Sequence, residues 1–238
     1  KLLYSLGVYS FNRDQQNVSQ TGVDRTHFNN YSLLQGIETK ANYAYVTRVN
    51  VSSFSSSSDL ITFDITNPER PRETSNYSFL HFVSDITIEG NFVFLTFNSD
   101  PYEPQEDFKG FYVMDISNPS VPAFLASYKT ASDAISVSIL GDYAYLGLGE
   151  NGLEVIDISD PSSPLRAGML AVPGATRGTF PKDNYLYIAN GYDGLRTANL
   201  SQPASPALTG QNKSTGTLYA KKISLDGQYA YVLDTIPY

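Results

Sequence analysis

The feature that constrains this chain most is an internal repeat built from two short patterns that alternate along its length. The first is a pair of turn residues followed by a segment with an aromatic side chain at every second position, at residues 41–46, 90–95, 141–146, 183–188 and 227–232. The second is a largely apolar segment that ends in Asp or Asn before two prolines, at residues 60–71, 111–122, 153–164 and 195–206. These patterns predict short β-strands joined by tight turns, and no 3.6-residue periodicity indicates helices.

Equivalent residues in the second pattern give the length of the repeat. Asp64, Asp115, Asp157 and Asn199 are separated by 51, 42 and 42 residues. A period in the forties with several short strands per unit is typical of a propeller blade. The sequence therefore predicts an all-β fold, a β-propeller of four-stranded blades with four complete repeats and a partial fifth.

The repeats also suggest how the chain is organised. Residues 1–34 are predicted to hold an outer-type strand, at residues 2–9, and an irregular N-terminal segment. The propeller is predicted over residues 35–238, with blades at about 35–82, 83–130, 131–173, 174–213 and 214–238. Because the first residue is Lys1, the chain is expected to be a processed form, an excised domain or a fragment.

The fifth repeat supplies two strands only, and three interpretations of it remain open. The chain is part of a longer propeller of about six to eight blades. Alternatively, it is a five-bladed form in which an irregular segment such as residues 11–30 fills the gap. In the third interpretation another chain lends the missing strand, which would give strand exchange and polymerisation.

Each predicted blade contains two kinds of turn. Pairs such as Gly141-Asp142 suit a two-residue hairpin turn, in which both positions are expected to have positive φ. Asp64, Asp115 and Asp157 precede proline-containing turns, where an Asp or Asn side chain commonly accepts backbone N–H groups. We interpret these carboxylates as turn locks rather than metal ligands, and the repeated tyrosines as packing between blades.

The second pattern resembles the LVIVD repeat, a family named for its Leu-Val-Ile-Val-Asp strand. The resemblance is carried by Leu-Glu-Val-Ile-Asp at residues 153–157, Leu-Ile-Thr-Phe-Asp at 60–64 and Tyr-Val-Met-Asp at 112–115, each followed by a turn with Pro-x-x-Pro. It covers about residues 35–238 and is weaker in the fourth copy. The resemblance implies a β-propeller in an exported or surface protein, and it brings no catalytic residues.

Composition excludes several classes of function. The formal net charge is −8, which argues against binding to nucleic acid and against a polybasic membrane-surface protein, because both depend on Lys and Arg. With no Cys and two His, disulfides, iron–sulfur clusters, thiolate zinc sites and a Cys nucleophile are excluded. No transmembrane segment is predicted, since no run reaches about 18 apolar residues. No motif of a known enzyme class occurs in the context that it needs.

Six Asn-x-Ser sequons occur in the chain, more than chance predicts for its 16 Asn residues. A sequon accepts a glycan only in a secretory or cell-surface context. The excess therefore predicts a glycoprotein at the cell surface or outside the cell, with a periplasmic protein as the alternative. The predicted glycosylation sites are Asn17, Asn30, Asn50, Asn76, Asn199 and Asn212.

Two groups of residues are candidates for ligand binding. Four carboxylates in one loop form a candidate Ca²⁺ site, because hard cations prefer several oxygen ligands from a flexible loop, although the spacing is not that of an EF-hand. These carboxylates are Asp100, Glu103, Glu106 and Asp107. Polar residues near the start of the inner strands could line a central channel and bind a small ligand; they are Asp85, Asp133 and Arg177. No other cofactor is predicted.

These observations favour a non-catalytic extracellular or cell-surface β-propeller that acts as a structural or binding scaffold. Its expected partners are proteins or glycans at the cell surface, or further copies of itself joined by β-strand exchange. The alternative is a channel-type hydrolase or lyase that acts on a glycan or small molecule at the centre of the ring. Carboxylates with shifted pKa values at the centre would favour the enzyme, and an apolar centre would exclude it.

Overall fold

The computed structural model describes residues 6–12, 17–24, 32–51, 56–99, 108–213 and 219–235. These residues form twenty β-strands and no helix. Accordingly, none of the described residues belongs to a helix that could span a bilayer. The prediction of an all-β fold is confirmed.

The strands form four complete antiparallel sheets and two hairpins. The N-terminal hairpin contains β1 (Leu6–Asn12) and β2 (Asn17–Asp24). The first sheet contains β3 (Ser32–Lys40), β4 (Tyr43–Val51), β5 (Ser56–Asp64) and β6 (Arg72–Phe79). The second sheet contains β7 (Phe82–Glu89), β8 (Phe92–Asn98), β9 (Gly110–Asp115) and β10 (Ala123–Lys129).

The remaining strands continue the same up-and-down order. The third sheet contains β11 (Ser136–Leu140), β12 (Tyr143–Gly147), β13 (Leu153–Asp157) and β14 (Leu165–Leu170). The fourth contains β15 (Gly178–Lys182), β16 (Tyr185–Ala189), β17 (Leu195–Asn199) and β18 (Ala207–Asn212). The fifth is a hairpin of β19 (Tyr219–Asp226) and β20 (Tyr229–Thr235).

The first strands of the five sheets stand side by side around an axis, because β3 contacts β7, β7 contacts β11, β11 contacts β15 and β15 contacts β19. Each sheet is therefore a blade, and its first strand is the innermost one. The fourth strands are mostly exposed, as β10, β14 and β18 show. This is the propeller arrangement that the repeat predicted.

The core lies between neighbouring blades. Alternate residues of a strand point to opposite faces of its sheet, so one strand supplies two cores. In β8, Leu95 and Phe97 pack into the core between the first and second blades, whereas Phe94 packs into the core between the second and third. Full burial of one such side chain contributes about 1.5–3 kcal/mol. The second strands are apolar on both faces for this reason.

The hairpin turns differ from the expectation in one respect. Positive φ occurs at the first position of each two-residue turn only, in Ala41, Gly90, Gly141, Asp183 and Gly227. The expectation that both positions have positive φ is wrong, because a turn with positive φ at its first position alone also matches the twist of the two strands.

The repeated Asp and Asn residues fasten the turn after each third strand. The backbone N–H of Ser159 donates to Oδ1 of Asp157 at 2.9 Å, and that of Ser201 donates to Oδ1 of Asn199 at 2.7 Å. Asp64 and Asp115 accept the same bond. Hydrogen bonds from the residue two positions on hold the pKa of Asp64, Asp115 and Asp157 below the ordinary value. The interpretation of these residues as turn locks is confirmed.

The two ends of the described chain differ from the complete blades. Within residues 1–34 the structure has the β1–β2 hairpin, and β3 already begins at Ser32. In the described part of the chain, β20 pairs with β19 and its other edge has no strand against it. Tyr229, Tyr231 and Leu233 on β20 are 71, 59 and 58 % exposed.

Candidate functional site

A cavity of about 370 Å³ lies at the axis, surrounded by the innermost strands of all five blades. Each of these strands contributes a polar side chain to its lining, and apolar residues such as Ile86 and Val137 complete the walls. Cavities of this size, with a few polar groups in apolar walls, are typical of small-molecule sites. One polar residue from each strand, in chain order, is Glu38, Asp85, Ser138, Thr179 and Lys222.

Strand register shows that a second cavity, of about 270 Å³, belongs to the same axis. Asp85 pairs with Thr96 and Lys222 pairs with Leu233, which hold the same place in the repeated aromatic pattern. Asp85 and Lys222 are therefore equivalent positions in two blades. The residue before this position lines the second cavity in every blade: Gln35, Ser84, Ile135, Arg177 and Lys221. The second cavity is the neighbouring layer of the central channel.

Asp85 is fixed in the channel by three contacts. Nζ of Lys222 lies 3.1 Å from Oδ1 of Asp85, and the backbone N–H of Val137 donates to Oδ2 at 3.3 Å. The backbone N–H of Ile86 also bonds to the carboxylate. These contacts join three blades, because Asp85 lies on β7, Val137 on β11 and Lys222 on β19.

Two carboxyl groups of the cavity have raised pKa values. Burial raises the pKa of Asp85, and Lys222 and the hydrogen bond from Val137 oppose the rise. Burial also raises the pKa of Glu38, the negative charge of Asp85 adds to the rise, and Lys222 opposes it. The centre of the ring is polar and ionisable rather than filled by apolar side chains.

The second cavity is basic on one side. Arg177, Lys221 and Lys222 line it, and no Asp or Glu is among its lining residues. The guanidinium of Arg177 lies 5.2 Å from the centre of the Tyr219 ring, which is a favourable cation–π distance. Nε of Arg177 is buried and, among the described residues, has no hydrogen-bond partner. A ligand group that accepts hydrogen bonds would satisfy it.

The three channel residues predicted from sequence occupy different places. Asp85 lines the central cavity and Arg177 lines the second cavity, whereas Asp133 lines neither of these two. Asp133 accepts hydrogen bonds from the backbone N–H and the hydroxyl of Ser99, at 2.9 and 2.6 Å, and lies 3.6 Å from Lys109. Burial acts to raise the pKa of Asp133, but the bonds from Ser99 and Lys109 outweigh it and lower the pKa.

Glu38 and Lys222 were not recognised in the sequence, although both lie in the cavity. The sequence does contain a signal for them, because Glu38 and Lys222 are charged residues in predicted innermost strands, and such strands line the central channel. The signal depends on register, because β3, β7 and β19 each contain a bulge that shifts the alternation of their side chains. The extra residue cannot be recognised from the apolar pattern alone.

The predicted glycosylation sites differ in their surroundings. Asn76 on β6 and Asn212 on β18 are exposed. Asn50 is half-buried, and its Nδ2 donates to Asp59 at 2.8 Å within a network that includes Arg48 and Ser78. Asn199 is half-buried and locks a turn. The side chain of Asn17 and all of Asn30 lie outside the described residues.

The candidate calcium loop also lies outside the described residues, because Asp100, Glu103, Glu106 and Asp107 fall within residues 100–107. Calcium binding there stays a prediction. In the remainder, the described side chains contain no group of three or more His, Asp or Glu residues placed to hold a metal ion.

Comparison with known proteins identifies the repeat. The sequence model of the LVIVD repeat matches residues 106–130, 131–171, 173–213 and 219–235, just over half of the chain. No curated protein matches the chain. Among solved structures, the crystal structure of the computationally designed Ika8 protein superposes with a TM-score of 0.62 at 9 % sequence identity. The alignment covers 90 % of this chain and 58 % of the designed chain, and at this identity it shows the fold alone. The chain belongs to the LVIVD repeat family.

Proposed function

We propose that this repeat β-propeller is a non-catalytic binding scaffold, located outside the cell or at its surface, that holds a small polar molecule in its central cavity. The observation that supports this most strongly is the 370 Å³ cavity at the axis, which all five blades line. A rigid ring with a polar centre presents fixed hydrogen-bond donors and acceptors to a ligand, so less entropy is lost on binding.

The lining suggests the class of ligand. Glu38, Asp85 and Lys222 offer charged acceptors and a donor, and the hydroxyls of Ser138 and Thr179 offer both. Apolar residues such as Ile86 lie between them. A sugar has hydroxyl groups on its rim and C–H groups on its faces, and therefore matches this alternation. A monosaccharide or the end of a glycan is the ligand that the cavity supports best.

Saturation-transfer NMR with a panel of neutral monosaccharides tests binding. We expect at least one sugar to receive saturation, and Glu38→Gln to weaken its affinity about tenfold or more, as loss of a charged hydrogen-bond acceptor does. Glu89→Gln is the matched control, because Glu89 lies at the exposed end of β7 and not in the cavity lining. If no sugar binds, or if both variants behave alike, the cavity is not the site.

Location outside the cell is supported by the exposure of two sequon residues, Asn76 and Asn212. The intact mass of the protein from its native source, before and after chemical deglycosylation, tests it. We expect the mass to exceed 26.2 kDa and to fall on deglycosylation. Replacing Asn76 and Asn212 by Gln should remove most of the difference. A mass that does not fall would contradict a glycoprotein.

A second candidate function is a channel-type hydrolase or lyase that acts on a glycan or small molecule. It is favoured by one observation, the pair of carboxyl groups with raised pKa values, Glu38 and Asp85, in the same cavity. A raised pKa makes a carboxyl group a better candidate for a general acid than one with the ordinary value. Release of reducing ends from a polysaccharide panel, abolished by Asp85→Asn with sugar binding retained, would establish the enzyme in place of the scaffold.

We also propose that the scaffold binds protein partners by adding a strand to its fifth blade. The free edge of β20 presents backbone N–H and C=O groups together with exposed Tyr229 and Tyr231, which is the kind of edge that accepts another strand. If the chain's own strands do not occupy this edge, a strand from a second copy can pair there and produce self-assembly. Sedimentation at increasing concentration tests this, since exchange between copies gives dimers or longer polymers.

A further inference from the structure

We propose that the N-terminal hairpin β1–β2 is the outer half of the fifth blade. In this arrangement β1 pairs with the free edge of β20, β2 becomes the outermost strand, and the five-bladed ring closes within a single chain. The hairpin and the fifth sheet each have two strands, and each complete blade has four.

The free edge of β20 lacks the neighbour that its counterparts have. Tyr231 holds the place that Tyr45 has in the first blade and Tyr145 in the third, as the repeated Tyr-Ala-Tyr pattern shows. Tyr45 and Tyr145 are 1 and 0 % exposed, whereas Tyr231 is 59 % exposed. In the complete blades a third strand covers this edge. The fifth blade therefore needs an outer half.

The hairpin β1–β2 carries the register of an outer half. In all four complete blades, one residue of the fourth strand is left unpaired where the register against the third strand shifts. These unpaired residues are Thr74, Leu125, Ala167 and Thr209. In the hairpin β1–β2 the register shifts in the same way, and Thr21 of β2 is unpaired.

The inner half of a blade, formed by its first and second strands, has its unpaired residue on the other strand of the pair. Where the pairing of a first strand with a second strand contains a bulge, the extra residue lies in the first strand of the pair: Gln35, Ser84 and Lys221. The hairpin β1–β2 has its extra residue in the second strand of the pair, and so it matches the outer halves only. Gly22 follows Thr21 as Gly210 follows Thr209.

The position of the bulge aligns the hairpin with the repeat. In the third blade the shift falls between Val155 and Ile156, one residue before Asp157. In β1 it falls between Val8 and Tyr9, so that Ser10 takes the place of the repeated Asp. Residues 13–16 contain no proline, and the pairing of β1 with β2 continues to Asn12 and Asn17.

The length of the connection indicates that the hairpin comes from the same chain. Seven residues, 25–31, separate β2 from β3. Seven residues separate β14 from β15, and six separate β10 from β11 and β18 from β19. The chain between β2 and β3 therefore has a length similar to three of the four steps from the outermost strand of one blade to the innermost strand of the next, and the step from β6 to β7, with two residues, is shorter. No longer tether, of the kind that exchange with a second copy would need, is present.

Closure has a consequence for the channel. The cavity needs β19, which carries Lys222, to stand beside β3, which carries Glu38. A fifth blade whose outer half belongs to the N-terminal hairpin is held to the first blade by a covalent connection. The hairpin thereby keeps Lys222 within reach of Asp85.

Cross-linking tests the pairing, and the absence of Cys from the chain makes it specific. Tyr143 pairs with Asp157 in the third blade, so Tyr229 is expected to face Ser10. By the same register Val232 is expected to face Gly7. Directly opposed strand residues have Cα atoms about 4.5–5.5 Å apart, which a disulfide can bridge. We expect Ser10→Cys with Tyr229→Cys, and separately Gly7→Cys with Val232→Cys, to form a disulfide within one chain.

The matched control is Asp24→Cys with Tyr229→Cys, because Asp24 lies at the other end of the hairpin, opposite Leu6. Non-reducing electrophoresis and peptide mapping of air-oxidised dilute protein give the result. Intramolecular disulfides in both matched pairs and not in the control support the proposal. Disulfide-linked dimers would assign the hairpin to a second copy, and either no disulfide in the two matched pairs or equal cross-linking in the control would also overturn it.

Discussion

The third and fifth blades have nearly the same sequence in the turn and second strand of their first hairpin, but the side chains of these two second strands differ in burial. Both contain a turn that starts with Gly, followed by Tyr-Ala-Tyr, and both place the second strand against the first. In the third blade Tyr145 is fully buried, and in the fifth the equivalent Tyr231 is 59 % exposed. Tyr145 packs with Val155 of the neighbouring strand β13 and with Leu186 of the fourth blade, whereas in the described residues no third strand pairs with β20. The burial of a side chain in this propeller thus depends on the strands and blades next to it, and not only on the sequence of its own strand.

The sharpest way to test this comparison is to truncate the two tyrosines. Tyr145→Ala should lower the free energy of unfolding by about 3–5 kcal/mol, because it leaves a cavity in the core between the third and fourth blades. If the hairpin β1–β2 completes the fifth blade, Tyr231→Ala should cost at least about 2 kcal/mol. Urea unfolding measures both. A cost below about 0.5 kcal/mol for Tyr231→Ala is what an exposed residue gives, and would contradict closure.

Glycines extend the comparison to the turns. Gly152 has φ of 80°, and a Cβ there would lie 2.5 Å from the carbonyl oxygen of Leu170 on the outermost strand. Gly227 has φ of 58°, and a Cβ there would meet no atom within 4 Å. Gly152→Ala should therefore destabilise the protein by about 2–4 kcal/mol, and Gly227→Ala by about 1 kcal/mol. If thermal unfolding shows the same loss of stability for both variants, the positive φ alone determines the effect and the contact with Leu170 contributes nothing.

The fifth blade also reaches the channel through Lys222. Lys222→Met removes the partner of Asp85, and because Lys222 is half exposed we expect a loss of only about 1 kcal/mol at neutral pH. The pKa of Asp85 is already raised by burial, and without Lys222 it should rise further. The destabilisation should therefore shrink as the pH falls and Asp85 takes up a proton. Unfolding at pH 8 and pH 5 checks the sign, and Lys221→Met is the control.

The smallest effect concerns the turn of the third blade, which has no counterpart in the described part of the fifth. Hydrogen bonds from Ser159 and Ser162 lower the pKa values of Asp157 and Asp160. A lowered pKa in the folded state means that this stabilisation is present above the ordinary Asp pKa and is lost as the pH falls through the folded value. Asp157→Asn should thus reduce the drop in Tm between pH 7 and pH 3. An unchanged drop would show that this carboxylate contributes nothing to acid unfolding.

Much of the fold could be predicted from sequence, because its determinants are local and repeated. The alternation of aromatic residues defines the second strands, and Asp157 and its equivalents define the turn after the third. The site could be predicted only in part. Asp85 lines the central cavity, whereas Asp133 accepts hydrogen bonds from Ser99. Glu38 and Lys222 were missed because their orientation depends on bulges, which the sequence pattern does not reveal.

The hairpin β1–β2 was the hardest element to interpret. Its strands carry neither the repeated Asp nor the prolines that mark the other outer halves, so residues 11–30 read as irregular. The pairing of β1 with β2 became visible only through register. Sequence periodicity identifies strand pairs that carry the repeated Asp and prolines, and it misses a strand pair that lacks them.

Hydrogen exchange of the unmodified chain tests the central claim, that the ring is closed by the chain's own N-terminal hairpin. The backbone N–H groups of β20 are compared with those of β12, which has strands on both sides, and of β14, which is an outermost strand. Closure predicts that every amide of β20 is protected as in β12, with exchange at least about tenfold slower than for the outward amides of β14. Fast exchange at every second residue of β20, as in β14, would show an open edge and contradict the account.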